Sequence, residues 1–321
     1  MTEVGEIEPW AQSGHSTRKL IETVLGVWPE HAKFLRASFN QRSADLLLTT
    51  ETIVELLFKV AADQGRTIQS YADDYRYLCE QIVFPEEMFF RREGRYRLST
   101  FADAAAQVYD NAPLMTRYMD GLFVSDALWF NHASAMNDFA SHYLPTTKRG
   151  GRHLEIGPGH GMLLHLAAKH GAFGKLSAWD ISETSIRHTR HVLDLLGQSD
   201  EVDLRMQDLY DSAARADFRG NFDTIVFSEV LEHLEEPLAA VEIIRDLLAP
   251  GGTVWINVPA NGPAPDHLFL LHTPDEARRL VEHSGLTVTR TAGYPVAGAT
   301  LERALRQELP ISCVLVGVKD A

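Results

Sequence analysis

At 321 residues and 45% hydrophobic composition, the chain is long enough for two domains of ordinary size, each with a core of its own. Its formal charge of −14, from 30 Lys and Arg against 44 Asp and Glu, argues against nucleic acid as a partner, because phosphate binding rests on Lys and Arg displacing counterions. The two cysteines, Cys79 and Cys313, stand far apart without CxxC spacing, which argues against a disulfide framework or a cysteine-built zinc site and fits a reducing cytoplasm.

The amino-terminal stretch MTEVGEIEPWAQSGHS carries acids early and no apolar segment of leader length. No later apolar run nears the roughly 18 residues of a membrane span, so an untargeted cytoplasmic protein with no membrane partner is expected. From about Arg18 to Tyr143 the texture is helical. ETIVELLFKVAADQG, residues 51–65, places Ile53, Val54, Leu57, Val60 and Ala61 on one face and stops at a glycine. TIQSYADDYRYLCEQIV repeats the period. EEMFFRREGRYRLST then alternates aromatic and charged residues about Glu93 and Gly94, a hairpin pattern that predicts a winged-helix-like unit. Its RREGRYR run suits a solvated hairpin better than a DNA-contacting wing in so acidic a chain. FADAAAQVY resumes helix, and APLMTRYMDGLFVSDALWFNHASAMNDFASHYL reads as two helical segments broken near Gly121. Its aromatic residues Tyr118, Phe123, Trp129 and Phe130 suit either a pocket wall or helix packing. PTTKRGG, residues 145–151, concentrates proline, hydroxyls, charge and glycine, and divides a front domain of residues 1–145 from a second of 146–321. The front helices carry more apolar surface than one small module can bury, so a homodimer through them is expected.

Beyond the boundary, strands and helices alternate. RHLEIG, KLSAWDIS, VDLRMQDL, FDTIVFSEV and GTVWINVP read as strands, with helices MLLHLAAKHG, ETSIRHTRHVLDLLG and PLAAVEIIRDLLAPGG between them. Such alternation predicts an α/β fold, a parallel sheet with helices on both faces. TPDEARRLVEHSG (helix), LTVTRTAG (strand), LERALRQEL (helix) and ISCVLVGVKD (strand) close the chain.

HLEIGPGHGM delivers Gly157, Gly159 and Gly161 to the carboxyl end of the first strand, where such sheets bind ligands and missing Cβ atoms let a ligand touch the main chain. The spacing is GxGxG rather than GxGxxG, since Met162 stands where a dinucleotide fingerprint has its third glycine. Glu155, two residues ahead, suits a cationic amino-acid moiety better than a pyrophosphate. Asp180 closes the second strand, where its carboxylate can accept from both hydroxyls of a ribose. Asp208, at the end of the third, can accept from an exocyclic amine while Leu209 packs on the ring.

From about residue 150 to the end, the chain resembles the class I S-adenosylmethionine-dependent methyltransferases, through LEIGPGHG, AWDIS, QDLYD, FDTIVFSEVLEHLEEP and LLAPGGTVWINVP. The resemblance implies a Rossmann-like seven-stranded sheet with its last strand antiparallel and S-adenosyl-L-methionine as cofactor. By that likeness the glycines face the methionine part, Asp180 the ribose, and Asp208 with Leu209 the adenine; Ile181 and Glu229 complete the cofactor-facing set. The front half resembles the dimerisation domain of small-molecule O-methyltransferases of natural-product pathways. Those enzymes often carry VLHDW after the fourth strand, with His as base, whereas this chain has VLEHL, so that Glu232 takes the histidine's place and His233 follows.

A sulfonium methyl is already activated, so a base is needed only where the acceptor arrives protonated. His233, beyond the fourth strand, and His267, after the fifth, are the candidates, each with a structural role in its own loop as the competing reading. A metal set of Asp266, His267 and His272 with Glu229 is a weaker alternative, and no metal is expected. The acids Glu229, Glu232, Glu235 and Glu236 suit either a cationic substrate or the dipole of the following helix. Together these features point to methylation, on oxygen or carbon, of a small aromatic or polyketide-like metabolite. The alternatives are a non-methylating reaction such as cyclisation in the same cleft, and a winged-helix regulator that senses the cofactor.

Overall fold

A computed structural model describes residues 8–320; residues 1–7, part of the amino-terminal stretch read as untargeted, and Ala321 lie outside the described residues. The front of the chain folds as α1 (His15–Val27), α2 (Ala32–Phe39), α3 (Ala44–Asp63), α4 (Ile68–Tyr77), α5 (Phe84–Glu93), α6 (Phe101–Ala104), α7 (Ala112–Leu128) and α8 (Phe130–Asp138). Side-chain caps start several of them: Ser43 accepts from the Leu46 N–H at the head of α3, and Asn111 from the Leu114 N–H at the head of α7, each at 3.2 Å. Among the described residues no helix is long and apolar enough to cross a membrane.

Two sequence expectations are corrected here. The expected wing is a helix: α5 runs to Glu93, and Gly94, with φ of 67°, is its left-handed C-terminal stop, its N–H bonded to Phe90 O at 2.7 Å. The alternation of aromatic and charged residues reflects packing on that helix, with the guanidinium groups of Arg92, Arg95 and Arg97 lying 5.7, 5.2 and 4.3 Å from the centre of the Phe89 ring. No described residue before Arg152 is in a strand. The second correction concerns Gly121, which lies inside an unbroken α7. A Cβ there would come within 2.7 Å of Leu78 Cβ and 2.9 Å of Asp74 O, so the glycine lets α7 cross the end of α4 closely. The break falls at Trp129, where the buried Arg42 guanidinium satisfies the last carbonyls of α7, Ala127 O at 2.8 Å and Leu128 O at 3.1 Å.

The rest alternates as read: β1 (Arg152–Ile156), α9 (Met162–His170), β2 (Lys175–Asp180), α10 (Glu183–Leu195), β3 (Val202–Met206), α11 (Ser212–Phe218), β4 (Phe222–Ser228), α12 (Pro237–Leu247), β5 (Leu248–Ala260), α13 (Pro274–His283), β6 (Thr287–Pro295), α14 (Leu301–Gln307) and β7 (Ile311–Val318). They form one seven-stranded sheet in the order β3-β2-β1-β4-β5-β7-β6, parallel through β5, with β7 antiparallel to both its neighbours. Successive residues of each strand face opposite layers. Leu154, Ile225 and Val254 sit side by side in one core with α12 and α13. Val226, Trp255 and Val316 sit in the other, which is continuous with the front helices. The apolar faces of the front helices are therefore buried in that core, among themselves and, through α8, against the sheet.

Asp138, wholly buried at the end of α8, fastens that contact: it accepts from Trp255 Nε1 at 3.0 Å, Tyr294 O–H at 2.7 Å and Arg290 Nη2 at 2.6 Å. Burial alone would raise its pKa, but these bonds outweigh burial and hold it below the usual carboxylate range.

The crossing at Gly121 yields a stability prediction. Gly121→Ala puts a methyl against backbone and a Cβ, and should cost about 1–3 kcal/mol. Gly26→Ala, in α1 with nothing within 4 Å of the new Cβ, should be neutral or stabilise by up to about 1 kcal/mol. Denaturant unfolding of the two variants checks this; equal stabilities would contradict the close crossing.

Candidate functional site

A cavity of about 2020 Å³ lies at the carboxyl ends of the parallel strands, roofed by the front helices. Its floor on one side is the loop from β1 to α9. Gly157, Gly159 and Gly161 have φ of 70°, 52° and 74°, a region costly for residues with a Cβ. At Gly157 a Cβ would also lie 2.6 Å from Val230 Cγ2, while at Gly159 it would meet nothing within 4 Å, so the main chain there is bare to the cavity. Thr189 on α10 donates to Gly159 O at 2.9 Å and holds the loop.

Glu155 stands behind the loop, buried, with Oε2 unpartnered, and burial pushes its pKa up to about 8. An orphaned buried carboxylate in a cavity wall is a seat for a cation. Asp180, at the end of β2, accepts from the Ser182 N–H at 2.8 Å; burial raises its pKa against the lowering effect of the Ser182 and Ile181 N–H groups. Ile181 is 57% exposed and lines the cavity, an apolar surface awaiting a flat partner. Asp208 accepts from the Tyr210 N–H at 2.9 Å, and the buried Leu209 lines the cavity beside it. Glu155, the glycine loop, Asp180, Ile181, Asp208 and Leu209 thus share one cavity and fit an amino-acid head, a ribose and an adenine in that order.

Glu229, expected with these residues, lines the same cavity and adjoins a second cluster. It follows β4 with φ of 52°, a conformation strained for a non-glycine residue, and its carboxylate accepts from Asn257 Nδ2 at 2.8 Å. Close by, Glu232 is wholly buried with both carboxylate oxygens unpartnered. Burial raises both acids, and Glu229 raises Glu232 further. His233 and His267 meet edge to face, ring centres 5.0 Å apart. Each lies with Nδ1 against a backbone carbonyl, His233 at 3.1 Å from Asp266 O and His267 at 2.6 Å from Gly262 O. A carbonyl only accepts, so Nδ1 carries the proton and Nε2 the lone pair. Both Nε2 atoms face Glu232 Oε1, at 3.8 and 3.9 Å. Burial first, then the neighbouring His233, pushes the pKa of His267 down to about 4, too weak for a base near neutrality, whereas His233 is partly exposed.

The cluster also offers one donor atom each from Glu232, His233 and His267, all within 4.8 Å of one another, a set able to hold a divalent cation. The set named from sequence does not assemble: His272 Nδ1 turns to Asn261 Oδ1 at 3.1 Å, and Tyr118 O–H occupies Asp266 Oδ1 at 3.0 Å. The four acids of EVLEHLEEP separate, for Glu235 accepts from the Phe101 N–H at 2.6 Å and Glu236 lies at the start of α12. Of the aromatic residues, Tyr118 and Trp129 line the cavity, while Phe123 stacks on His160 at 4.5 Å in the core. The roof brings residues that carried no sequence signal: Tyr109, whose hydroxyl lies 3.3 Å from His233 Nδ1, and the pair Asp126 and His132. Only the helix crossings place them at the site.

The family described as "Methyltransferase domain" matches residues 130–307. Among curated proteins, the ubiquinone biosynthesis O-methyltransferase of Xanthomonas campestris pv. campestris is 36% identical over 115 residues, which cover 36% of this chain and 46% of that protein. The protein of the same name from Xanthomonas euvesicatoria pv. vesicatoria is 33% identical over 132 residues, 40% of this chain and 53% of that one. The chain thus spans about half the length of the curated relatives it matches. Among solved structures, an O-methyltransferase family protein from Burkholderia thailandensis shares the fold, with a TM-score of 0.51 at 15% identity, covering 79% of this chain and 72% of that one.

Glu155 makes the stability pH-dependent. Its folded pKa is raised, so its protonated form favours folding; that contribution is complete below the unfolded value of 4.5 and is lost as pH rises through about 8. Between those limits the wild type should lose up to about 1.4 kcal/mol per pH unit relative to Glu155→Gln. Denaturant unfolding at pH 5 and pH 8 measures the difference; parallel profiles for the two proteins would show that Glu155 is not held neutral.

Proposed function

Because the chain belongs to the methyltransferase-domain family and is an S-adenosylmethionine-dependent methyltransferase, we propose that it methylates an oxygen of a small, largely apolar acceptor, an aromatic or polyketide-like metabolite, at the Glu232–His233–His267 cluster. The observation that carries this reading is the lone pair of His233 Nε2, held at the cavity end of β4 by the Nδ1 bond to Asp266 O. When bound, the cofactor supplies a methyl group already activated on a sulfonium. Glu155 would hold its ammonium, the bare backbone at Gly159 its methionine chain, Asp180 its ribose hydroxyls, and Ile181, Asp208 and Leu209 its adenine. His233 then takes the acceptor's proton, and Glu232 opposite stabilises the imidazolium that results. Trp129, Met115, Met136 and Leu122 give the acceptor side an apolar wall, which excludes water from the displacement. O-methylation is also the activity in the names of the curated relatives.

One observation favours a second use of the same residues. Glu232, with neither oxygen partnered, together with two imidazole lone pairs, suits a divalent cation that would take the acceptor oxygen as a further ligand.

Incubation with S-adenosylmethionine and a panel of phenols and enols should give products heavier by one methylene, with one S-adenosylhomocysteine per product. Products of unchanged mass would instead indicate cyclisation or isomerisation. His233→Ala should lower kcat by about 10²- to 10⁴-fold with S-adenosylhomocysteine affinity intact. Asp180→Ala should show the opposite pattern, weaker calorimetric affinity by roughly 1.5–3 kcal/mol for each hydrogen bond lost. A rate abolished by chelator and restored by one divalent ion would move His233 from base to ligand.

A further inference from the structure

The roof contributes a polar residue that the reaction as described does not use. His132, in the first turn of α8, lines the cavity and packs against Trp129 with ring centres 4.9 Å apart. Its Nδ1 lies 3.4 Å from Asp126 Oδ1 and 3.2 Å from Ser125 Oγ. The Ser125 hydroxyl proton goes to Leu122 O at 2.8 Å, so Ser125 can only accept from the imidazole. Two acceptors on one nitrogen fix the proton on Nδ1 and the plane of the ring. With Nδ1 so engaged, Nε2 is the ring nitrogen free for a ligand in the cavity that His132 lines. Asn131, next in the chain and 4% exposed, also lines the cavity, with Oδ1 unpartnered while Nδ2 donates to Ser312 Oγ at 3.1 Å.

The titratable groups that act on His132 are Asp126 beside it and, from the sheet, Glu229, while His132 in turn acts on His267. Burial works against a charge on His132, but the hydrogen bond to Asp126 and the nearby Glu229 outweigh it and raise its pKa. The cavity therefore holds two separate centres that seek oxygen, the Glu232–His233 cluster at the end of β4 and the Asp126–His132 pair in the roof, with apolar side chains around them.

We propose that the acceptor carries a second oxygen function, and that His132, oriented by Asp126 and Ser125, binds it while the first oxygen is presented to His233. His132 is in this account a specificity-determining residue and Asp126 a positioning residue acting through it. The inference rests on the methyl-acceptor reading of the cavity and adds to it the class of acceptor, an aromatic or enolic compound with two oxygen functions.

The test uses the full chain saturated with S-adenosylhomocysteine and calorimetric titration of three probes, 2-naphthol, 2,3-dihydroxynaphthalene and 2,7-dihydroxynaphthalene. At least one dihydroxy probe should bind about 10-fold more tightly than 2-naphthol, and the preferred isomer reports the spacing of the two centres. His132→Leu should bring that ratio close to one without changing S-adenosylhomocysteine affinity, and Asp126→Asn should reduce it partway. If His132→Leu fails to fold, His132→Gln, which keeps a donor without the imidazole's fixed plane, should retain part of the preference. The proposal is overturned if neither dihydroxy probe outbinds 2-naphthol, or if the preference survives unchanged in the His132 variants. The failure of the underlying reading looks different: none of the three probes would bind, and no phenol in the panel would be methylated.

Discussion

The structure depends most on one carboxylate. Asp138 takes hydrogen bonds from Trp255 on β5 and from Arg290 and Tyr294 on β6, and in doing so ties the last turn of α8 to the sheet. A buried acid is costly unless its lone pairs are filled and its charge is matched; here three side chains, one of them a cation, do both. The consequence reaches well beyond the contact. With α8 fixed, α7 follows through the turn at Trp129, and the two helices bring Tyr118, Asp126, Trp129, Asn131 and His132 over the ends of β4 and β5. Without this docking the strand ends would form an open crevice rather than a roofed cavity.

Roofing changes the chemistry of what lies beneath. Glu155, Asp180, Glu229 and Glu232 occupy the carboxyl edge of the sheet, and in each the first cause of a raised pKa is burial. In an open crevice these would be ordinary solvated acids; under the helices they become groups that gain most from a cation, a hydroxyl donor or an imidazolium. The same desolvation separates the two histidines of the cluster. Burial pushes the pKa of His267 down to about 4, while His233 beside it is partly exposed. The turn after β4 and the loop after β5 thus bring together two imidazoles that differ in depth.

How much of this could be read from the sequence follows from the range of each interaction. The β-α alternation and the glycine loop were legible because they are local: strand periodicity is written in consecutive residues, and GxGxG after a strand specifies backbone conformations that a Cβ would penalise. Asp180 and Asp208 were legible for the same reason, being simply the last residues of strands or the turns after them. The misread elements are those where a local pattern has a tertiary cause. Around Glu93 and Gly94 the alternation of rings and guanidinium groups looks like a strand, but arises from three arginines covering one ring, and the glycine that suggested a turn stops a helix. Gly121 reads as a breaker until the neighbouring helix shows why a side chain is excluded. His132 and Asp126 give no signal at all, since their meaning lies in what α7 and α8 are laid across.

The roof is also bonded to the turns that follow β4 and β5. Tyr109 approaches His233 Nδ1, Tyr118 bonds Asp266, whose carbonyl orients that same imidazole, and the Phe101 N–H bonds Glu235 two residues further on. Three helical segments therefore act on the turn after β4 and on the loop after β5 that supports it. A displacement of α6 or α7 would not only open the cavity; it would remove the hydrogen-bond partners that set the direction of His233 Nε2. Access to the cavity and the direction of the His233 imidazole are in this way parts of one constraint. Phe84 and Phe101, exposed yet lining the cavity, give its rim an apolar edge beside those bonds.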